Sequence, residues 1–223
     1  MKILAIETSH RGGSVALLLG SELVVQSQLP FELPTTRTLH PTIKGVFQAA
    51  GWKPTDIQLV ATTIGPGSFT GLRIGVTTAK TFAYAVGAEL LGLDTLEVIA
   101  QRIPLDIAQV YVAVDAQRGD VVAAGFQRQA DGSWLTIRPP SLVPFDQWLS
   151  SLPEEAFVTG PALGRYPIPE GVNVQVAPPE FWYPTAEVTG VLAWKYYQAG
   201  RRDDLWALVP KYARVSYAEE KIR

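Results

Sequence analysis

The segment that most limits the fold runs from residue 58 to residue 86. QLVATTI (58–64) is an apolar, β-branched run and predicts a buried strand. It leads through GPGSFTG (65–71) into a stretch expected to be helical over about 69–86 and to stop near Gly87. A strand that feeds a tight turn and then a long helix is the building unit of an α/β fold. Gly65 and Gly67 allow the tight turn, and Ser68 or Thr70 is placed to cap the helix. Free N–H groups at such a start attract anions. The spacing, however, fits neither Walker A nor GxGxxG, and the Walker lysine is missing. Spacing alone favours a plain strand-to-helix turn. Gly71, Gly75, Ala79 and Ala83 recur every four residues, with Leu72, Val76 and Val86 on the adjacent side. A glycine costs about 1 kcal/mol relative to alanine inside a helix. Two of them require a close neighbour, from the same chain or from a partner, and the stripe does not choose between these.

The rest of the chain reads in the same idiom. Strands are expected over 2–7, 13–19 and 22–29, with Gly20-Ser21 turning the second into the third. A helix is expected over about 39–50, with Pro41 in its first turn and Leu39, Ile43, Val46, Phe47 and Ala50 at helical spacing. A strand over 88–92 and a helix over 95–102 follow, ending before Pro104. A second block opens with strands 109–115, 121–128 and 133–138, then a helix near 145–151. Strands 156–159 and 172–177 and a helix over 185–199 complete it. This divides the chain near 104 into an N-terminal lobe (1–104) and a C-terminal lobe (105–223). The two blocks begin alike. LAIETSHRGGSVALLL (4–19) and VAVDAQRGDVVAAGF (112–126) are each an apolar strand, an acid, a polar glycine-containing loop and an apolar return strand. The match aligns Glu7 with Asp115 and implies two lobes of one topology.

Composition removes whole classes of function. The 223 residues contain no cysteine, which excludes a disulfide scaffold, a thiolate zinc site and a cysteine nucleophile. The two histidines, His10 and His40, cannot supply a three-histidine metal site. A net charge of −2 argues against a free-standing nucleic-acid binder. No apolar run approaches the roughly 20 residues of a membrane span, and no signal-peptide core is visible. A soluble cytoplasmic protein with no membrane partner is expected. His10 is expected to be solvated in a polar loop, and His40 to sit at a helix start. Arg201-Arg202 and Lys211/Arg214 read as small basic clusters on a solvated face rather than an RNA patch.

The quoted segments, together with VDAQRGD (114–120) and the tail P-K-Y-A-R…AEEK, resemble the TsaB (YeaZ) family from residue 3 to residue 221. These are small subunits of the bacterial machinery that makes N6-threonylcarbamoyladenosine (t6A) at position 37 of tRNA. The resemblance implies a two-lobed α/β fold of the actin/sugar-kinase/Hsp70 (ribonuclease H-like) class, with mixed sheets flanked by helices. In that fold an aspartate at the place of Glu7 precedes a phosphate-binding hairpin, and a carboxylate there can hold Mg²⁺ through water. Glu7, Thr8, Ser9, Ser14 and Asp115 are therefore expected to form a vestigial nucleotide site. Glu7 and Asp115 also admit the plainer reading of local caps. The resemblance implies no catalytic residue, no metal and no required cofactor, with room for ATP or ADP at the subunit interface. It implies a TsaD-type large subunit and a TsaE-type ATPase as partners, a homodimer when the chain is alone, and tRNA met only indirectly.

The family's contact uses helices 39–50 and 69–86. The expected partner-binding residues are Leu39, Ile43, Val46, Phe47, Gly71, Leu72, Gly75, Val76, Ala79 and Ala83. On that reading Gly75→Leu or Ala79→Trp blocks the partner and spares the fold. Thr35 stands where many members have histidine, and His40 is out of register with it. The alternative functions are an ATP-dependent phosphotransferase of the same fold, with Asp115 as its base, and an M22-type peptidase.

Overall fold

The computed structural model describes residues 1–214. The AEEK part of the tail motif lies outside the described residues. Two five-stranded mixed sheets are built to one plan. The first contains β1 (Lys2–Glu7), β2 (Ser14–Leu19), β3 (Glu22–Gln28), β4 (Leu59–Gly65) and β5 (Glu89–Asp94), in the order β3-β2-β1-β4-β5. The second contains β6 (Gln109–Asp115), β7 (Asp120–Arg128), β8 (Trp134–Pro144), β9 (Ala156–Thr159) and β10 (Val174–Val176), in the order β10-β9-β6-β7-β8. Read from the other edge, the orders are the same. The directions match too: β1–β2–β3 and β6–β7–β8 are antiparallel meanders, whereas β1–β4–β5 and β6–β9–β10 are parallel. Each β4-type strand runs into a Gly-Pro pair, Gly65-Pro66 in one sheet and Gly160-Pro161 in the other.

The helices are α1 (Thr35–Ala50), α2 (Phe69–Val86), α3 (Thr95–Ala100), α4 (Phe145–Ser150) and α5 (Ala186–Gln198). Alternation along β1 and β2 sends successive side chains to opposite faces. Leu4, Ile6, Val15 and Leu17 meet α1 and α2 through Leu39, Val46, Val76 and Ala79. Ile3, Ala5, Ala16 and Leu18 meet α5 through Ala186, Leu192 and Ala193. The first sheet is thus covered on both faces. In the second sheet one face packs Val110, Val112 and Phe126 against Leu96 and Ile99 of α3. The other packs Tyr111, Ala113 and Val158 against Phe145, Trp148 and Leu149. Residue 104 separates the two sheets but not the two halves of the chain. α5, Leu205 and Leu208 return to pack with the first sheet.

Most boundaries fall where the spacing puts them, and α2 spans 69–86 as expected. α1 does not: it begins at Thr35, after Pro34, so Pro41 lies in its interior and His40 is not at its start. An interior proline costs about 3 kcal/mol. Leu39, Ile43, Val46 and Phe47 bury a four-residue apolar stripe on the sheet side, at about 1.5–3 kcal/mol each. Burial outweighs the broken helical hydrogen bond, and the TTRT turn stays helical. β8 is also longer than expected, continuing through Pro139 and Pro140. It is the edge of its sheet, where a missing N–H is tolerated.

Candidate functional site

The loop after β1 and the turn after β4 meet at one end of the first sheet. Glu7 there is fully buried. Its Oε1 accepts hydrogen bonds from Ser9 N (2.6 Å), Ser9 Oγ (2.5 Å) and Thr63 Oγ1 (3.2 Å). Its Oε2 lies 2.9 Å from His10 Nδ1. His10 is correspondingly not solvated. Its side chain is 13% exposed and its ring lies 4.9 Å from that of Tyr183. Sequence reasoning missed this pair because Tyr183 arrives from the segment that precedes α5.

Thr8 and Ser9 are clamped by the glycine-rich turn. Ser68 N donates to Ser9 O at 2.6 Å, and Thr8 Oγ1 donates to Gly71 O at 2.9 Å. A Cβ at Gly71 would lie 2.1 Å from Thr8 O, and one at Gly75 would lie 2.0 Å from Thr8 Oγ1. A Cβ at Gly67, whose φ is +157°, would lie 2.3 Å from Ser9 O. Ser68 caps α2 by accepting from Gly71 N. Ser14 is spent at the start of α5, where its Oγ accepts from Ala186 N at 2.8 Å. Glu7, Thr8 and Ser9 therefore come together, and Ser14 serves the adjoining helix. Glu7 Oε2 and the facing His10 Nδ1 are buried there without forming a hydrogen bond.

Asp115 ends β6 as Glu7 ends β1. It caps its own loop and pairs locally, one of the two readings open from sequence. Oδ1 accepts from Gln117 N and Tyr166 Oη, each at 2.9 Å. Oδ2 accepts from Arg165 Nη1 at 2.9 Å and from Gln117 Nε2 at 3.2 Å. Burial, and then the Asp115 carboxylate, push the Tyr166 hydroxyl above the usual tyrosine range.

The ten residues expected to bind a partner all lie on α1 and α2. All ten are buried within this chain, none more than 8% exposed among those with side chains beyond glycine. The close neighbour required by Gly71 and Gly75 is Thr8. Gly75→Leu would strike the chain's own loop before it met a partner. The accessible face of the same helix pair overlaps that set only at Ile43 and Phe47, which line its groove. On α1, Pro41, Gly45 and Ala49 form an exposed line at four-residue spacing. A Cβ at Gly45 would meet nothing within 4 Å. Beside it runs an open, largely apolar groove of about 470 Å³ whose rim includes His40, Lys44, Gln48, Trp52 and Phe82. Tyr84 on α2 is 68% exposed. The signal available from sequence was this exposed Gly45, which lies off the buried stripe.

Among the described residues no group of three or more His, Asp or Glu is arranged to hold a metal ion, and no helix is long and apolar enough to cross a membrane. Arg201 is hydrogen-bonded to Gly92 and Asp203, with its side chain 38% exposed.

Two sheets of one topology, each with an acid at the end of its central strand, make this a two-lobed α/β protein of the actin-like class. The solved structure of YeaZ from Pseudomonas aeruginosa superimposes with a TM-score of 0.80, at 24% identity, over 95% of this chain and 99% of that one. The family model for TsaD, tRNA N6-adenosine threonylcarbamoyltransferase, matches residues 35–165, more than half of the chain. The "tRNA threonylcarbamoyladenosine biosynthesis protein TsaB" of Escherichia coli is 35% identical over 60% of this chain. The protein of the same name from Buchnera aphidicola subsp. Schizaphis graminum is 32% identical over 63% of it. The matches span 58% and 68% of those two relatives' own lengths. The chain belongs to the TsaB (YeaZ) family, within the wider group that the TsaD model describes.

Proposed function

We propose that this chain is a non-catalytic partner subunit that binds and activates a TsaD-type transferase in t6A formation at position 37 of tRNA. One observation carries the reading. The outer face of α1 pairs an apolar groove with an exposed glycine that nothing in its own chain explains. Glycine at an exposed helix position costs about 1 kcal/mol against alanine. Close approach of another backbone offsets that cost. The residues that dock are then Pro41, Gly45 and Ala49 with the groove, whose lining includes Ile43 and Phe47, and the other eight buried residues hold that face in shape.

The other support comes from the loop after β1. A carboxylate that holds Mg²⁺ through water must be open to that water. Glu7 is fully buried, with Oε1 on three donors of its own chain and Oε2 facing His10. A TsaE-type ATPase completes the assembly, ATP or ADP sits at the subunit interface, and tRNA is met through the large subunit. The same α1–α2 face pairs two copies when the large subunit is absent. The protein works in the cytoplasm.

The test is reconstitution. A TsaD-type subunit, a TsaE-type ATPase, the adenylate synthase, threonine, bicarbonate, ATP and tRNA are combined, and modified nucleoside is quantified by mass spectrometry with and without this chain. The proposal expects modification only when the chain is present, and none from the chain alone. Equal modification without it would overturn the proposal.

A further inference from the structure

After α5, which packs on the first sheet, the chain stays on that lobe and is fastened down. Arg201 grips Asp203 through Nε and Nη2 (3.0 and 2.9 Å) and donates to Gly92 O at 2.6 Å. Gly92 N in turn donates to Asp203 Oδ2 at 2.9 Å. Lys80 of α2 donates to the carbonyls of Trp206 (3.1 Å) and Leu208 (2.9 Å), and Leu208 is buried in the first sheet's core. Lys211 N then donates to Ile64 O at 2.6 Å, and Arg73 Nε to Tyr212 Oη at 2.9 Å. Every one of these attachments is to the first sheet or to α2. The next lies on the other lobe, where Arg214 forms an ion pair with Asp120 at the head of β7.

Beneath this bridge lies a cavity of about 350 Å³. Gly65, Pro66 and Asp94 line it from the first sheet, Val122 and Leu142 line it from the second, and Lys211–Ala213 close it. Away from the bridge, α3 joins the lobes. It follows β5 directly, yet Leu96 and Ile99 are fully buried in the core of the second sheet. The two connections differ in kind. One is an apolar helix locked in a core. The other ends in an ion pair whose side chains are 25% and 26% exposed. A partly buried pair of this kind is little screened by salt, so it is undone by removing a partner rather than by ionic strength.

We propose that residues 201–214 are an interlobe clasp. The near end is permanently fixed to the first sheet, and Arg214–Asp120 is the releasable latch that holds the lobes in one arrangement over the cavity. The inference is independent of what docks on α1.

The chain lacks cysteine, so the full-length Thr77→Cys/Gln147→Cys variant carries one exposed label site on α2 and one on α4. Interlobe distances are read by pulsed electron–electron spin resonance. The clasp predicts one narrow distribution at low salt. It predicts broadening of at least twofold in width on Arg214→Ala, and a return to the narrow form in the swap Asp120→Arg/Arg214→Asp. Amide exchange at Lys211 should remain protected throughout, because the near end is held separately. An unchanged distribution in Arg214→Ala, or a swap that stays broad, would overturn the proposal.

Discussion

The loops that follow β1 and β6 occupy the same place in two sheets of the same topology, and they have been put to opposite uses. The first is filled in. Glu7 is fully buried, its donors come from its own loop and from β4, and the backbone of Thr8 and Ser9 is pressed against α2 and the turn before it. The second is open. Asp115 is 18% exposed, Arg165 opposite it is 52% exposed, and a Cβ at Gly119 would meet nothing within 4 Å. The helices account for the contrast. After Gly65-Pro66 comes the 18-residue α2, whose glycines accept the loop at contact distance. After Gly160-Pro161 comes only the short 3₁₀ turn Pro161–Gly164. The same strand–acid–loop–strand unit becomes a rigid internal joint in one lobe and a surface pair in the other.

The largest test of this contrast is Gly75→Leu. With a Cβ 2.0 Å from Thr8 Oγ1, it should destabilise the fold by about 3 kcal/mol or more, read as a shift in the urea midpoint. A midpoint near wild type would show that Thr8 yields and that the joint is not rigid. Glu7→Gln removes the charge that three donors serve and should cost about 2 kcal/mol. Gly119→Ala, at φ +85° with open space around it, should cost about 1 kcal/mol through backbone strain alone. Asp115→Asn should cost less than about 1 kcal/mol, as expected of a partly exposed pair. If Asp115→Asn proved as damaging as Glu7→Gln in the same denaturation series, the two loops would not differ in the way described.

The alternating apolar strands and the 3.6-residue spacing of α2 made both lobes legible before any coordinates. So did the alignment of Glu7 with Asp115, because local pattern dictates those elements. Three things were not legible. α1 starts four residues early because burial of Leu39, Ile43, Val46 and Phe47 outweighs Pro41, and that balance is tertiary. The stripe at Gly71 and Gly75 announced a close neighbour but not its identity, since Thr8 is distant in sequence. His10 looked solvated because Tyr183, which covers its ring, comes from the far end of the chain. Sequence spacing reports which face of a helix is small; it does not report which way that face points.

The central claim is that the docking surface lies on the outer line of α1 and that the buried stripe only supports it. Gly45→Leu tests it most directly. The side chain points away from everything within 4 Å in its own chain, and leucine is the better helix former by about 0.8 kcal/mol. Affinity for a TsaD-type subunit is to be measured by calorimetric titration, with thermal unfolding run on the same samples. The account predicts an unfolding temperature equal to or above wild type together with at least a hundredfold loss of affinity. Undiminished affinity in a fully folded Gly45→Leu would contradict it.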